Sequence, residues 1–505
     1  NPELAIEVLE RARLPHPHAA HKVGESTVEI GSHYLAQTLG LQNMLEDTQL
    51  RKFGLRFFLG AGQQGDLAAA DELGASNFLP AVSYQIDRGR LENDLTQQLI
   101  NQGVTVSTGT RVTDFELGVN AQGHEFKVVS DAGANSLKAG WAIDAASRSR
   151  LFQRKLNKQQ DSDHQMCAAW FRLDHVIDVE NWSDSAAWQN RCNQIPRRLS
   201  TNHLLGPGYW CWIIPLVNDR VSVGLVTDPT IHAPETYNSF DKMRAWMQHH
   251  QPLLARHLNQ ADDKLMDFRY LKGLSHGCQQ NFSNDGWAIS GEAGVFSDPF
   301  YSPGTDFIAI SNTFISDLIC RGQDDPMHGI RWSVYEKMYR SFYESTLSLY
   351  QHQYPGFGDT RMMVLKATWD YAYYWSVLAW LFYRNALTDI AFLRTAESTL
   401  KDVQELNFRM QAEFRQRAAL KVQSPGKGRF FDQRAIPLLL QLNSALLEPP
   451  DQPLSELQGN CQRLVQLAPL IKAMLHENSE TAGIASSLER TLLGDLRERF
   501  ATPWH

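Results

Sequence analysis

The 505-residue sequence has no long hydrophobic run, no cluster of basic residues and no closely paired cysteines. Its most apolar stretch, residues 371–383, is shorter than the roughly 20 residues that a membrane-spanning helix needs. A net charge of -8 without a Lys/Arg run argues against nucleic-acid binding. Six cysteines without a C-x-x-C pair argue against a disulfide framework and indicate a reducing compartment, the cytoplasm. The start of the sequence shows no signal peptide.

Two local features allow a structural or a functional interpretation. The aromatic stretch Tyr371–Tyr383 is typical of a buried helix, but it could also form a wall for a flat substrate or a membrane-surface contact. The histidines His16, His18 and His21 suggest a metal, but no acid or cysteine nearby in sequence completes a tetrahedral set. We therefore predict no metal.

The order of predicted elements indicates a mixed α/β fold. Strands alternate with helices over residues 1–160, and antiparallel strands dominate residues 161–280, with a hairpin turn at Asn218–Asp219. Residues 281–330 return to the first unit through a strand, a glycine-bearing turn and a helix, and residues 331–505 show helical spacing throughout. We expect these four ranges to correspond to the domains and their connections.

The glycine-rich loop of a dinucleotide-binding unit is missing from the expected place. Leu4–Glu10 resembles the second strand of such a unit, whose terminal acid binds ribose hydroxyls. None of the 33 glycines forms a G-x-G-x-x-G pattern ahead of Glu10. We expect the first strand, its turn and its helix, about 30 residues in all, to precede Asn1.

Four motifs contain residues that are suited to ligand binding or catalysis. Gly24–Glu25–Ser26 permits close backbone approach to a flat ring, although Ser26 could also cap a helix with Glu29 as its capping-box partner. Trp210 and Trp212, at positions i and i+2 of a strand, form an apolar plate on one face. Residues 290–305 lead through glycines into a helix start, which can hold an anion. Lys52, which precedes Phe53 in the run LRKFG, is either an ordinary surface lysine or a partly buried amine with a lowered pKa.

These motifs, in this order, resemble the flavin-dependent halogenases of the tryptophan-halogenase type, within the larger group of FAD-dependent aromatic hydroxylases. The similarity spans residues 4–330, and the run WCWIIPL, followed by SVGLV, is its most specific part. It implies an FAD-binding Rossmann-like core, a β-sheet over the flavin and a helical C-terminal region. It also implies that reduced FAD from a separate reductase, oxygen and chloride or bromide yield hypohalous acid, which halogenates an electron-rich aromatic substrate.

The resemblance assigns roles to individual residues. Lys52, in LRKFG, would be the catalytic amine that polarises the hypohalous acid. Gly304 and Thr305 would hold the halide. The FAD contacts would be Glu10, Gly24, Glu25, Ser26, Arg88, Glu292, Pro299 and Gly304. The motif that shields the flavin would consist of Trp210, Trp212, Ile214 and Pro215. The substrate would be a free or carrier-tethered aromatic molecule, and a homodimer is compatible with this scheme.

Three positions depart from the family pattern. Glu292 stands where an Asp is usual, and Ala145–Ala146–Ser147 replaces an Ala-Ser-Gly run. Pro303 has no N–H in the turn where the family binds halide with backbone N–H groups. These departures leave two alternatives to a halogenase, an FAD-dependent monooxygenase or a non-catalytic relative on the same scaffold.

Overall fold

A computed structural model provides the structure of the chain and describes residues 4–60, 65–119, 122–259, 261–322, 325–477 and 486–501. In chain order, the strands are β1 (Glu7–Glu10), β2 (Leu50–Arg51), β3 (Leu55–Leu59), β4 (Asp71–Gly74), β5 (Tyr84–Gln85), β6 (Thr105–Thr108), β7 (Arg111–Leu117), β8 (His124–Ser130), β9 (Gly133–Ala139), β10 (Ala142–Asp144), β11 (Gln159–Gln160), β12 (Cys167–Leu173), β13 (Thr201–Gly206), β14 (Tyr209–Leu216), β15 (Arg220–Thr227), β16 (Leu265–Lys272), β17 (Gly277–Cys278), β18 (Trp287–Ile289) and β19 (Phe430–Asp432). The α-helices are α1 (Glu29–His33), α2 (Gln42–Thr48), α3 (Arg88–Asn101), α4 (Leu151–Lys155), α5 (Ala186–Gln189), α6 (Phe240–His250), α7 (Pro252–Leu258), α8 (Gly304–Arg321), α9 (His328–Ser348), α10 (Thr360–Tyr373), α11 (Ala379–Tyr383), α12 (Ile390–Ala419), α13 (Pro437–Ala445), α14 (Pro453–His476), α15 (Ser487–Leu493) and α16 (Leu496–Ala501).

An eight-stranded sheet forms the centre of the molecule, in the order β16-β12-β15-β14-β13-β3-β4-β19. Its pairs are antiparallel except for β13 with β3 and β19 with β4. The predicted hairpin joins β14 to β15, and both of its turn residues, Asn218 and Asp219, have positive φ values (59° and 56°). Two successive positive φ angles are typical of the tight turns whose twist matches that of paired strands.

Alternation along the strands gives the sheet two buried faces. On β14, Trp210, Trp212 and Ile214 point into the larger core, which the helices between α8 and α14 complete. Cys211 and Ile213 point the other way, into a second core closed by α6 and α7. The sheet is therefore covered on both sides, and the two tryptophans share one face as predicted.

The parallel part of the fold consists of two separate ladders. β1 pairs with β6, and β10 pairs with β18, in both cases parallel. Within the described residues neither β1 nor β10 has a second partner, and Val8 and Ile143 are 37% and 47% exposed. β7, β8 and β9 form a separate antiparallel meander. The carboxyl ends of β1 and β18 carry the predicted cofactor-binding acids.

Sequence patterns missed some of these strands. The range 331–505 was expected to be helical throughout, yet β19 lies within it and extends the central sheet beside β4. Strand β9, rich in small and polar residues, was not predicted, and β6 pairs with β1 instead of joining the meander. No described helix is long and apolar enough to cross a bilayer. All six cysteines are free thiols.

Candidate functional site

A cavity lies between the start of α1, the start of α8 and the aromatic part of α10. It encloses about 790 Å³ of space that protein atoms do not fill, part of it open to solvent. Its polar lining comes mainly from Glu29, Lys52 and Asp306, and its walls include Phe307, Tyr350, Tyr371, Tyr374 and Trp375. Aromatic walls with a few convergent charged groups are typical of small-molecule sites.

Lys52 lies in this cavity because strand pairing and a backbone hydrogen bond fix the position of its main chain. It follows β2, which pairs with β5, and its N–H donates to Ser83 O at 2.8 Å. Its side chain is 3% exposed, and Nζ donates to Thr27 O at 2.7 Å. Burial lowers the pKa of the Lys52 amine to about 7, against the opposing effect of the Glu29 and Asp306 carboxyls. The amine can therefore carry or release a proton near neutral pH.

Asp306 is fixed in the first turn of α8. Its Oδ1 accepts the Gly31 N–H at 2.8 Å, and its Oδ2 accepts the Tyr374 hydroxyl at 2.7 Å. Burial raises the pKa of Asp306 to about 7, although both hydrogen bonds favour the carboxylate. A helix N-terminus stabilises negative charge, which explains how an acid is tolerated there.

Glu29 occupies the first turn of α1 and was missed as a site residue. The capping-box interpretation is wrong, because Val28 is the N-cap of α1 and the Ser26 hydroxyl contacts Thr201 Oγ1 at 2.9 Å instead. Burial raises the pKa of the Glu29 carboxyl, and the charge of Lys52 opposes this shift. No pattern in the sequence relates Glu29 to Asp306, 277 positions away.

The aromatic stretch is largely buried, as predicted for a core helix, and part of it also faces the cavity. α10 continues through a π-helical turn, Tyr374–Leu378, into α11, and most of this segment is buried. Tyr371 and Trp375 stack with ring centroids 5.4 Å apart and planes 16° apart. Both rings line the cavity. The helix is thus part of the core and also supplies a flat apolar wall.

The turn before α8 separates the cavity from an open surface. Pro303 is the N-cap of α8 and lines the cavity together with Tyr301. Gly304 is exposed, and a Cβ built on it would meet no atom within 4 Å. By helix geometry, the first N–H groups of α8 have no acceptor within the helix. Pro299, Gly304 and Thr305 therefore belong to one turn that can approach a ligand from outside.

The tryptophan motif does not line this cavity. Trp210 and Trp212 are 1% and 3% exposed in the core, with ring centroids 5.6 Å apart. The Trp210 indole packs edge-on against Phe300 at 5.2 Å, so it supports the turn before α8. Its Nε1 donates to the Tyr354 hydroxyl at 2.9 Å, and Trp212 Nε1 donates to Ser222 Oγ at 3.1 Å. Ile214 and Pro215 are buried in the same strand.

The remaining N-terminal candidates lie near the carboxyl end of β1 and the start of α3. Glu10 ends β1 and accepts the Ala12 N–H at 2.6 Å. Gly24 has a φ of +105°, and a Cβ there would lie 2.7 Å from Nη1 of Arg88. Glu25 forms a buried ion pair with Arg172 at 2.7 Å. The side chains of Glu25 and Ser26 are thus engaged within the protein, and the Glu25 carbonyl accepts the Ile86 N–H at 2.6 Å.

Glu292, on the opposite ladder, is also engaged. Its carboxylate pairs with Arg148 Nε at 2.8 Å and accepts the hydroxyl of Ser147, the residue in the departing Ala-Ala-Ser run. About a third of its side chain remains exposed (31%). The longer Glu side chain therefore reaches across from the end of β18 to the loop after β10.

The fold brings an acid that is distant in sequence to two of the three histidines. The start of α3 brings Glu92 beside His21, with Oε2 2.9 Å from Nε2, and His16 is 4.0 Å from the same oxygen. His18 is not part of this group. Lys22 and Arg88 also pair with Glu92, at 3.0 and 2.7 Å. This positive surrounding already neutralises the carboxylate and weighs against a bound cation.

No protein-family model matches the chain. The sequence relatives are nevertheless of one kind, flavin-dependent halogenases. The flavin-dependent halogenase chlA of Dictyostelium discoideum is 26% identical over 329 residues, 59% of this chain and 52% of that protein. In sequence, the chain is similar to flavin-dependent halogenases over more than half of its length. A second halogenase relative, the 1H-pyrrole-2-carbonyl-(peptidyl-carrier protein) brominase of Pseudoalteromonas luteoviolacea, is 24% identical over 54% of this chain and 66% of its own length.

Solved halogenase structures share the fold. Halogenase PltM in complex with phloroglucinol and FAD aligns with a TM-score of 0.63 and 15% identity, over 94% of this chain and 92% of that one. The flavin-dependent brominase Bmp2 aligns with a TM-score of 0.54 and 18% identity, over 70% and 82% of the two chains. At such identities the comparison establishes the mixed α/β halogenase fold. The chain spans between half and two thirds of the two sequence relatives named above.

Proposed function

We propose that the protein is an FAD-dependent halogenase that transfers halogen from hypohalous acid to an electron-rich aromatic substrate. One observation carries the proposal. The amine of Lys52 is buried in a cavity whose wall includes the turn before α8, while Gly304, at the end of that turn, is exposed on the outside. A flavin outside the turn and a substrate inside it would be separated by protein, with the amine on the substrate side.

The residues present fit FAD. Gly304 offers backbone at the start of a long helix with no side chain in the way, and Gly24 adopts a positive φ beside a guanidinium. Ligands bind at the carboxyl ends of parallel strands, where Glu10 and Glu292 lie. We assign Glu10 to ribose and Glu292, through its exposed part, to the ribityl–diphosphate region.

The remaining FAD contacts are assigned according to which groups are not fully engaged within the protein. Arg88 lies where it can contact the diphosphate, but Glu92 holds its guanidinium at 2.7 Å and would have to share it. Gly24, Glu25 and Ser26 would contribute backbone atoms. Pro299 and Gly304 would lie against the flavin ring, and the Trp210 indole would keep water away by holding that turn in place.

Bound and reduced, FAD supplies the electrons with which oxygen and halide become hypohalous acid. The protein's own residues do the rest. Lys52 in its ammonium form donates a hydrogen bond to the hypohalous oxygen and polarises the oxygen–halogen bond in a dry site. Because Pro303 has no N–H, we propose that halide binds at the N–H groups of Gly304 and Thr305.

Partners and compartment are proposals of the same kind. A separate reductase would supply reduced FAD. The brominase relative is named for a carrier-tethered pyrrole, so the aromatic substrate of this chain could be tethered or free. Because all six cysteines are free thiols, we propose the cytoplasm as the compartment.

The test uses the full-length protein with FAD, a flavin reductase, NADH, oxygen, bromide and an electron-rich phenol or indole. We expect a product that gains bromine, by mass spectrometry, and its loss in Lys52→Ala. Lys242→Ala, on the exposed face of α6, is the matched control and should retain activity. Lys52→Ala should still bind FAD, as measured by flavin fluorescence. A gain of oxygen without bromine would instead indicate a monooxygenase.

A further inference from the structure

His203, on β13, is a buried imidazole whose Nδ1 has no hydrogen-bond partner among the described residues. Only 1% of the residue is exposed. Two other buried histidines, His124 and His276, contact backbone carbonyl oxygens through Nε2 at 2.8 and 2.9 Å. Buried polar groups are paired in the great majority of cases, so an unpaired ring nitrogen in a packed core indicates a ligand.

The imidazole neighbours both the turn before α8 and the amine of Lys52. It stacks against Phe300, in that turn, with ring centroids 5.3 Å apart and planes 29° apart. On the adjacent strand β3 it lies opposite Phe57, five residues after Lys52. Burial holds the pKa of His203 well below its usual value, and the positive charge of Lys52 lowers this pKa further. The imidazole is therefore uncharged at neutral pH and within electrostatic reach of the amine.

Aromatic rings surround the imidazole and offer it no hydrogen-bond donor. The ring centroids of Phe57 and Trp210 lie 5.1 and 4.8 Å from that of His203. The Trp210 N–H is not available, because it donates to the Tyr354 hydroxyl. A neutral imidazole keeps a lone pair on one ring nitrogen, which can accept a hydrogen bond from a small molecule.

Hypohalous acid has hydrogen-bonding needs that Lys52 alone does not meet. In the proposed mechanism the Lys52 ammonium donates to the oxygen of the acid. An ammonium has three donors and no lone pair, so it cannot accept the O–H of the same molecule. A neutral imidazole near the amine supplies the acceptor that is missing.

We propose that His203 is a second binding group for hypohalous acid, and that the O–H of the acid donates to a ring nitrogen of His203 on the way from the turn before α8 to Lys52. The inference rests on the proposed halogenase function. It adds a residue that holds the acid inside the protein and limits its escape into solution. No covalent bond forms or breaks at His203.

Escape of the acid can be measured with a probe that stays outside the protein. The full-length protein is assayed with FAD, a flavin reductase, NADH, oxygen, bromide and the phenol substrate. Fluorescein coupled to dextran, which is too large for the cavity, reports hypobromous acid in solution by its bromination. His203→Phe keeps a ring beside Phe300 but has no acceptor. We expect about fivefold more brominated fluorescein per oxygen consumed than in the wild type, as for the loss of one hydrogen bond. His203→Gln retains an acceptor and should release less than half as much as His203→Phe.

A second readout tests whether the imidazole serves the fold instead. Because Nδ1 has no hydrogen bond to lose within the described residues, His203→Phe should not lower the urea midpoint of unfolding. His257→Phe is the matched control. This histidine stacks on Trp182, in the core on the other face of the central sheet, with ring centroids 4.8 Å apart, and its replacement should not change the escape of hypobromous acid.

Three results would overturn the inference: unchanged escape of hypobromous acid in His203→Phe, an equal increase in His203→Gln, or a urea midpoint of His203→Phe below that of the wild type. If the larger Phe ring prevents folding, the escape from His203→Leu, which is smaller and equally lacks an acceptor, decides in its place. A wild type that consumes oxygen but brominates neither the phenol nor the fluorescein would overturn the halogenase proposal itself.

Discussion

The backbone N–H of Gly31 donates to Oδ1 of Asp306 at 2.8 Å and so joins the first turns of α1 and α8. The contact is close enough that a Cβ on Gly31 would lie 2.7 Å from Cβ of Thr305. These two turns carry Glu29 and Asp306, the two acids that face Lys52. The spacing of the helices therefore sets the geometry of the site.

Two glycine substitutions should distinguish the role of helix packing from the role of flavin access. Gly31→Ala forces α1 away from α8 and should destabilise the protein by about 1–3 kcal/mol in urea unfolding. Gly304→Ala meets no atom within 4 Å, so its stability should match or exceed that of the wild type. If flavin approaches the start of α8, Gly304→Ala should nevertheless bind FAD at least tenfold more weakly. Unchanged FAD affinity would place the flavin elsewhere.

Two buried lysines should respond differently to the same substitution. Lys52 has no carboxylate within salt-bridge distance among the described residues, whereas Lys366 pairs with Asp370 at 2.9 Å inside α10. Lys52→Met should abolish halogenation and leave stability within about 1 kcal/mol, because an apolar side chain fills the site. Lys366→Met strands a buried carboxylate and should cost about 3–5 kcal/mol in urea unfolding. We expect Lys52 to serve catalysis and not to stabilise the fold. A large loss of stability in Lys52→Met would contradict this expectation.

The sequence predicted the parts of the fold that local rules govern. Local residue patterns predicted the turn at Asn218–Asp219 and the helix α8. β19 was missed, because three residues carry no periodicity and its pairing with β4 joins positions more than 350 residues apart.

The site was only partly predictable for the same reason. Lys52 was found through a motif, but its lowered pKa depends on burial that no local pattern contains. Glu29 was interpreted as a capping residue, and Asp306 was not singled out. Their meeting with Lys52 is set by the packing of α1 against α8.

The rate of halogenation should fall as the pH rises above about 7. In the proposed mechanism Lys52 acts as the ammonium, and its pKa of about 7 means that the proton is lost on the alkaline side of neutrality. The Asp306 carboxyl raises the pKa of this amine, so Asp306→Asn should move the alkaline limb to lower pH. Profiles of kcat/KM against pH test both statements. A flat profile across neutrality, or a limb that moves upward in the variant, would contradict them.

Asp306 should also make the stability of the fold depend on pH. Its pKa is raised from 3.8 to about 7, so between these values the folded state holds more protons than the unfolded state. The free energy of unfolding must then decrease as the pH rises through this window. The wild type should lose stability relative to Asp306→Asn from about pH 4 to pH 7, at a scale of about 1.4 kcal/mol per pKa unit. Urea unfolding at several pH values measures the difference, and a constant gap would disprove it.

Trp210→Phe tests whether the indole supports the turn before α8. The substitution keeps an aromatic ring beside Phe300 but removes the donor to Tyr354, whose hydroxyl in turn donates to Asp298 at 2.7 Å. We expect a loss of about 1–2 kcal/mol in stability and, with FAD and a reductase present, more hydrogen peroxide released per halogenated product. Trp212→Phe is the matched control, because its indole bonds Ser222 on β15 instead of reaching that turn. Equal peroxide release by the two variants would mean that neither indole acts through the turn.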